Sequence, residues 1–176
     1  MYENQKEYSK SIDLCLQIWK DHADLNTYKE IKRLADILGS WSDLKRGLVQ
    51  GLEKQNSFDL LTEIFLYEKD WKTAWDYADK IQRSWMSYSD IRLRLADTSE
   101  KDCPHKAIKI YYEYAERLIN RRGRGNYSEA SSYLKKMLKI FSRIEEKKQG
   151  KEIISDIRIK YNKLPALQDE MNQVGL

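Results

Sequence analysis

Apolar side chains recur every three or four residues along most of this chain, which is the spacing of one face of an α-helix. The clearest example is the segment LYEKDWKTAWDYADK over residues 66–80. It predicts the end of one helix, a polar turn at residues 68–70 and a second helix. One side of that second helix carries Trp71, Ala74, Trp75 and Ala78. Because the small Ala side chains admit a neighbouring helix and the Trp rings fill the space beside them, we predict a helical hairpin in which both Trp residues pack.

The same hairpin chemistry recurs at irregular intervals. Trp41 and Trp71 each follow a short polar turn and are 30 residues apart, and Ala107 follows Ala74 by 33 residues. A fourth helix start, around Ala130, comes 23 residues later. Periods slightly above 30 residues are typical of stacked helix pairs, in which no pair buries its apolar face alone. The pattern predicts an all-α fold, a right-handed α-α superhelix of stacked antiparallel helix hairpins.

We expect this fold to form a single helical-repeat domain. Its predicted extent is 1–176, with irregular repeats at roughly 25–54, 57–82, 88–122 and 127–173. The predicted helices cover residues 4–21, 27–38, 41–54, 58–67, 71–80, 89–98, 104–120, 127–147, 151–162 and 165–173.

Capping residues mark several of these helix ends. Asn26 or Thr27 is expected to cap the second helix and Ser57 the fourth, and Gly39 is expected at the C-terminal stop of the second. Pro104 suits a first helical position, where its missing N–H is not needed. The segment RRGRGN over residues 121–126 predicts a loop.

Two glycines interrupt the third predicted helix. Gly47 and Gly51 are four residues apart and therefore lie on one helix face. Each costs about 1 kcal/mol of helix propensity relative to Ala. The pair therefore predicts a place where a neighbouring helix approaches closely.

The composition fits long amphipathic helices. Of the 176 residues, 34% are charged and 41% hydrophobic, and the mean hydropathy is −0.79. Because the apolar residues are periodic, this polarity indicates solvated outer helix faces and not disorder. Only 2 Pro and 7 Gly leave little room for the many turns of a β-rich fold.

Cysteine usage and the N-terminal sequence bear on localisation. Cys15 and Cys103 are the only cysteines, which suits a reducing compartment and suggests no disulfide framework. The start MYENQKEYSK lacks the pattern of a signal peptide, and no apolar run reaches the length of a membrane span. We predict a soluble, cytoplasmic protein with no membrane partner, either complete or part of a longer chain.

No residue set in the sequence resembles a catalytic or metal site. Gly-rich phosphate loops, nucleophile motifs and His-Glu-x-x-His are absent from the sequence. Cys15, His22, Cys103 and His105 lack the usual spacing of zinc ligands, and we interpret Cys15 as a core residue and His105 as a surface residue. We therefore predict a protein that is not an enzyme and has no metal and no cofactor.

Charge is uneven along the chain. Between His105 and Arg124 the basic residues exceed the acidic ones by four, which equals the net charge of the whole chain, +4. The cluster Arg121, Arg122 and Arg124 could hold phosphate or an acidic peptide, or its first two cations could be favoured only by the dipole at a helix C-terminus. The candidate binding residues are Arg83, Arg92, Arg94, Tyr111, Tyr114, Arg117, Arg121, Arg122, Arg124 and Tyr127.

Two phrases, CPHKAIKIYYEYAERLI and GNYSEASSYLKKMLKIFSRI, together with the Trp-containing turns, carry a family resemblance. Over roughly residues 25–164 the chain resembles the C-terminal helical region of bacterial SWIM zinc-finger proteins, and more loosely it resembles tetratricopeptide repeats. Thr62 stands where those repeats usually have Gly or Ala. The repeat positions are filled by Leu61, Phe65, Asp70, Trp71, Ala74, Ala78 and Ile81.

The resemblance implies a helical scaffold that accompanies a zinc-binding SWIM module, whose role in the family is to contact nucleic acid or protein. This sequence has no Cys-x-Cys followed by Cys-x-His, so the zinc site cannot be transferred to it. Either that module lies on a further N-terminal part or the chain is a stand-alone relative.

These observations favour a non-enzymatic protein–protein interaction scaffold. Its expected partner is a protein or peptide, held by Tyr and Arg side chains on a concave surface. The alternative is a nucleic-acid-binding accessory domain that uses the basic surface around residues 117–124. The sequence leaves the partner and the oligomeric state undetermined.

Overall fold

The computed structural model describes residues 2–81 and 90–176, with side chains from residues 7 and 91 onward in the two ranges. Within these ranges the chain forms ten α-helices and no strand, which confirms the all-α prediction. The helices are α1 (Tyr2–Asp21), α2 (Leu25–Leu38), α3 (Trp41–Lys54), α4 (Phe58–Tyr67), α5 (Trp71–Ala78), α6 (Asp90–Ser99), α7 (Pro104–Arg121), α8 (Arg124–Arg143), α9 (Lys147–Lys160) and α10 (Pro165–Gln173). None of the helices in the described ranges is both long enough and apolar enough to cross a membrane.

The N-terminal cap of α2 differs from the prediction. Asp24, and not Asn26 or Thr27, is the capping residue, because its extended backbone lets Oδ1 accept the N–H groups of Asn26 at 2.7 Å and Thr27 at 2.9 Å. Those backbone hydrogen bonds, that of Thr27 first, lower the pKa of the Asp24 carboxyl. Gly39 ends the helix with φ 70°, as predicted. Ser57 precedes α4 as predicted but makes no side-chain capping bond.

The predicted loop at residues 121–126 is shorter than expected. Only Arg122 and Gly123 separate α7 from α8, and both have positive φ, 63° and 93°. These two positive-φ residues reverse the chain within a very short segment. A similar turn at Glu145, with φ 64°, ends α8 at Arg143 and starts α9 at Lys147, each four residues earlier than predicted.

The chain divides into two compact units, Met1–Ile91 and Arg92–Leu176. In unit 1, α1 packs on α2 and α4 on α5, and α3 lies against α2 and α4. In unit 2, α7 and α8 form the most extensive helix pair, and α9 and α10 pack on α8. The prediction of one repeat domain over 1–176 stays a prediction. The largest fully buried side chains include Tyr28, Ile31, Leu52, Leu61 and Ile64 in unit 1, and Tyr111, Ile119, Leu134, Met137, Ile140 and Phe141 in unit 2.

The central hairpin of unit 1 has most of the predicted packing, although Trp71 is only half-buried. Ala74 and Ala78 are completely buried and Trp75 is 2% exposed, so α4 and α5 come together along the small-residue face. The turn between them contains Lys69 in a left-handed conformation, φ 60°. Asp70 then caps α5 by accepting the N–H of Thr73 at 3.2 Å.

The predicted close approach at Gly47 and Gly51 is wrong. A Cβ added at either glycine would meet no atom of the described residues within 4 Å. The pair instead borders an open groove of about 270 Å³ whose lining includes Trp19 of α1. The helical glycine that does admit a neighbour is Gly150 of α9, where a Cβ would lie 2.8 Å from Leu138 of α8.

Candidate binding surface

The structure describes only part of the candidate residues on and before α6. Arg83 lies outside the described residues. Arg92 is 7% exposed and therefore mostly buried, whereas Arg94 is exposed. The predicted joining of these arginines with the α7 cluster stays a prediction.

Three of the predicted residues, Tyr111, Tyr114 and Arg117, follow one another at three-residue intervals on α7. The ring of Tyr133, on α8, lies 5.9 Å from that of Tyr111 and 5.8 Å from that of Tyr114, measured between centroids. The guanidinium carbon of Arg117 is 4.1 Å from the Tyr114 centroid, a cation–π distance. We call Tyr111, Tyr114, Arg117, Tyr133 and Lys136 the tyrosine face.

A carboxylate organises one end of the tyrosine face. Asp97 Oδ1 accepts the Tyr111 hydroxyl at 2.6 Å and the Lys136 ammonium at 2.8 Å. The same ammonium lies 5.3 Å from the Tyr111 centroid and 5.5 Å from that of Tyr133. Burial, then the hydrogen bond to Asp97, raises the pKa of Tyr111. Tyr111 is fully buried, so it supports the face from below while Tyr114, Arg117 and Tyr133 are half-buried and Lys136 is exposed.

Sequence reasoning missed Tyr133, Lys136 and Asp97. A usable signal was present for the first two, because they are three residues apart and therefore share one side of α8. Asp97 gave no such signal, since it is 14 residues from Tyr111 and 39 from Lys136.

The arginine cluster at the α7–α8 turn is divided between different environments. Arg121 and Arg122 are exposed at the end of α7, where the helix dipole favours cations. Arg124 begins α8 and its Nε donates to Glu170 Oε1 of α10 at 2.8 Å. Because the Glu170 side chain is only 8% exposed, this pair ties α8 to α10 inside unit 2. Tyr127 is 6% exposed and belongs to the core, contrary to its predicted role in binding.

The cysteines and histidines occupy ordinary structural positions. Cys15 packs at the edge of the Ile12, Leu34 and Ala35 cluster, and burial raises the pKa of its thiol. The His105 side chain is 68% exposed at the start of α7. The interpretation of His105 as a surface residue is therefore confirmed, and that of Cys15 as a core residue is confirmed in part, because Cys15 is half-buried. In the described ranges no three His, Cys, Asp or Glu residues are placed to hold a metal ion.

The geometry defines an all-helical protein that presents aromatic rings and cations on one helix pair. The chain is 25% identical over 156 residues to the uncharacterized protein YwqB of Bacillus subtilis (strain 168), a match that covers 82% of this chain and 29% of that relative. The chain thus spans less than a third of the length of this curated relative. No protein-family model matches the chain, and no solved structure matches it.

Proposed function

We propose that this protein is a non-enzymatic protein–protein interaction scaffold built from tetratricopeptide-like helical repeats. Within each unit, consecutive hairpins would stack in the manner of a right-handed superhelix and present one helix of each pair to a partner. The partner would be a protein or peptide segment.

The tyrosine face carries this proposal. Tyr114, Tyr133 and Arg117 keep part of their surface accessible, and Lys136 has 46% of its side chain exposed. Trp, Tyr and Arg are enriched among the residues at which truncation weakens protein interfaces. Tyr brings a large contact area at little entropic cost, and Arg brings directed hydrogen-bond donors. Tyr114 and Tyr133 already pack against each other, at 5.8 Å between ring centroids, so they lose less freedom on binding than isolated rings would.

Affinity capture from a cell lysate, quantified by mass spectrometry, tests the proposal. We expect the double variant Tyr114→Ala/Tyr133→Ala to retain less than about a tenth of the specific partner captured by the wild type, as for loss of a central aromatic anchor. Tyr8→Ala is the matched control, because it removes a half-buried ring from unit 1. Equal capture by the double variant, with its helical content intact by circular dichroism, would contradict the role of this face.

A second candidate function is nucleic-acid binding as an accessory domain. The observation that favours it is the exposure of Arg121 and Arg122, neither of which forms an ion pair with another described residue. Fluorescence anisotropy with labelled single-stranded and duplex oligonucleotides at about 50 and 200 mM salt tests it, since phosphate contacts weaken steeply over that window. Binding that falls at the higher salt and is lost in the double variant Arg121→Ala/Arg122→Ala, which leaves the Arg124–Glu170 pair intact, would favour this function over the scaffold.

We also propose that the chain corresponds to the C-terminal helical region of a SWIM-type protein and acts in the cytoplasm. The support is the sequence resemblance, together with the size of YwqB, which has more than two thirds of its length outside the match.

A further inference from the structure

Charge is divided unequally between the two units. Unit 1 contains 13 basic and 16 acidic residues, whereas unit 2 contains 19 basic and 12 acidic ones. The net charges are therefore −3 and +7, which together give the +4 of the whole chain. Such an asymmetry between two parts of a chain is typical of proteins whose basic part attracts a polyanion.

Helix α8 carries five of the basic residues of unit 2 and a single acidic one, Glu129. Three of its cations pair with carboxylates outside the helix, namely Arg124 with Glu170, Lys136 with Asp97 and Arg143 with Glu100. The other two, Lys135 and Lys139, are exposed and form no ion pair with any described residue. Glu129 lies six residues before Lys135, too far along the helix for an i,i+3 or i,i+4 pair.

The two lysines belong to a stripe along the outer side of α8. Steps of three and four residues place Ser128, Ser132, Lys135, Lys139 and Ser142 on one helix face, and all five are exposed. We call this set the lysine–serine stripe. At 1.5 Å of rise per residue it is about 21 Å long. It contains no carboxylate and no apolar side chain, and it shares no residue with the tyrosine face.

The composition of the stripe indicates the kind of polyanion. A protein interface has a core of apolar and aromatic side chains, and a membrane-bound helix inserts apolar ones, and the stripe has neither. Single-stranded nucleic acid is held by aromatic rings on which its bases stack, and the stripe has no ring. Lysine ammonium and serine hydroxyl groups are common donors to the phosphates of a duplex.

The phosphate donors of the stripe are chiefly its two lysines. The hydroxyl of Ser132 already donates to the backbone oxygen of Glu129 at 2.7 Å. The exposed Arg121 and Arg122 lie just before α8, so exposed cations occur from the α7–α8 turn to beyond the middle of the helix. A row of cations of this length suits a regular array of phosphates.

We propose that the lysine–serine stripe binds the phosphodiester backbone of duplex nucleic acid, with the ammonium groups of Lys135 and Lys139 at phosphates. This inference rests on the second candidate function, nucleic-acid binding, and specifies the surface and the form of nucleic acid. DNA and RNA duplexes share the phosphate chemistry, so both are tested.

Fluorescence anisotropy of the full chain with labelled DNA and RNA duplexes of about 20 base pairs, at salt concentrations from about 50 to 200 mM, tests the proposal. We expect the double variant Lys135→Gln/Lys139→Gln to bind at least about tenfold more weakly at about 50 mM salt. The slope of log affinity against log salt should become shallower by about two, since each phosphate contact contributes about 0.9. A preference for either duplex identifies the natural form.

Lys54→Gln/Lys72→Gln is the matched control. It removes two exposed lysines from unit 1 that likewise form no ion pair with a described residue. Because it changes the net charge of the chain by the same amount, it separates a local phosphate contact from a general loss of charge. We expect its affinity and its salt slope to equal those of the wild type.

Three outcomes would overturn the proposal. They are an unchanged affinity and salt slope in the double lysine variant, tighter binding to single strands than to duplexes, and binding to phosphatidylserine vesicles in place of duplexes. If duplex binding depends on Arg121 and Arg122 but not on the two lysines, nucleic-acid binding survives and only the stripe assignment fails. Absence of duplex binding by the wild type would reject both.

Discussion

The two units contain the same arrangement of three groups in different surroundings. In unit 1, the Tyr28 hydroxyl and the Lys45 ammonium donate to Glu68. In unit 2, the Tyr111 hydroxyl and the Lys136 ammonium donate to Asp97. Both tyrosines are fully buried, and burial raises the pKa of each.

The two carboxylates differ in exposure. The Glu68 side chain is 12% exposed and that of Asp97 is 42% exposed. A buried acceptor is costly to lose because water cannot replace it, whereas an exposed one is readily replaced. The same three groups therefore stabilise the fold strongly in unit 1 and weakly in unit 2, where they brace the tyrosine face.

Removal of each carboxylate tests most directly whether its exposure sets its contribution to stability. We expect Glu68→Ala to destabilise unit 1 by about 2–3 kcal/mol, since it leaves the buried Tyr28 hydroxyl without its acceptor. Asp97→Ala should cost unit 2 about 1 kcal/mol or less, because water can reach the exposed site. Native-state hydrogen exchange, read separately in the two units, measures both effects.

Glu68→Gln is the control for charge, because its amide oxygen can still accept from Tyr28. We expect Glu68→Gln to be less stable than the wild type but more stable than Glu68→Ala. Equal destabilisation by Glu68→Ala and Asp97→Ala would show that exposure does not separate the two arrangements.

Substitution of a helical glycine in each unit tests how closely the helices pack there. Gly150→Ala would place a Cβ 2.8 Å from Leu138 and 3.0 Å from Phe141, and we expect a loss of about 1–3 kcal/mol from overpacking α9 on α8. Gly47→Ala meets no described atom within 4 Å, so it should stabilise unit 1 by up to about 1 kcal/mol through helix propensity. Urea unfolding shows whether each variant is more or less stable than the wild type. A Gly150→Ala protein more stable than the wild type would contradict the close contact.

A tyrosine–carboxylate pair whose carboxylate forms no ion pair with a lysine among the described residues extends the comparison to pH. The Tyr77 hydroxyl donates to Glu53 at 2.7 Å, and burial followed by this bond raises the pKa of Tyr77 to about 12. Because the unfolded pKa is about 10, the stabilisation is complete below pH 10 and is lost as the pH rises towards 12. We expect the wild type to exceed Tyr77→Phe in stability by about 1 kcal/mol at pH 8, and this advantage to disappear near pH 12.

Thermal unfolding at a series of pH values measures that difference. Tyr77→Phe keeps the ring that stacks on Phe65 at 5.5 Å, so packing is conserved between the two proteins. A difference that does not change between pH 8 and 12 would contradict the shifted pKa.

The smallest predicted effects concern two helix caps within unit 1. Asp24→Ala removes the acceptor of two backbone N–H groups and should cost about 1 kcal/mol. Ser57→Ala should change the free energy of unfolding by less than about 0.5 kcal/mol, because Ser57 makes no capping hydrogen bond. Chemical denaturation measures the loss of stability in each variant. Equal losses would show that the side-chain hydrogen bonds of Asp24 add nothing to the stability of the helix start.

Local sequence signals predicted most helix limits but not the packing between helices. The bounds of α3 and α4 were predicted to the residue, and Gly39 and Pro104 occupy their expected positions. The close-approach glycine was misassigned, since the spacing of Gly47 and Gly51 says nothing of which helix lies opposite. Gly150 was missed because its contact depends on where α8 lies.

The candidate site was predicted in part for the same reason. Tyr111, Tyr114 and Arg117 share a face because three-residue spacing dictates it on any helix. Their neighbours Tyr133 and Lys136 required the α7–α8 pairing, and the pairing of Arg124 with Glu170 required α10 to lie against α8.

The sequence by itself determined the helices, their turns and most of their buried faces, because apolar periodicity, caps and left-handed residues act within a few positions of one another. Only the tertiary structure decided which polar side chains meet. Tyr28 and Glu68 are 40 residues apart, and Arg124 and Glu170 are 46 apart. No local period encodes contacts at such separations, since they depend on the packing of whole helices. The tyrosine face is formed by that packing.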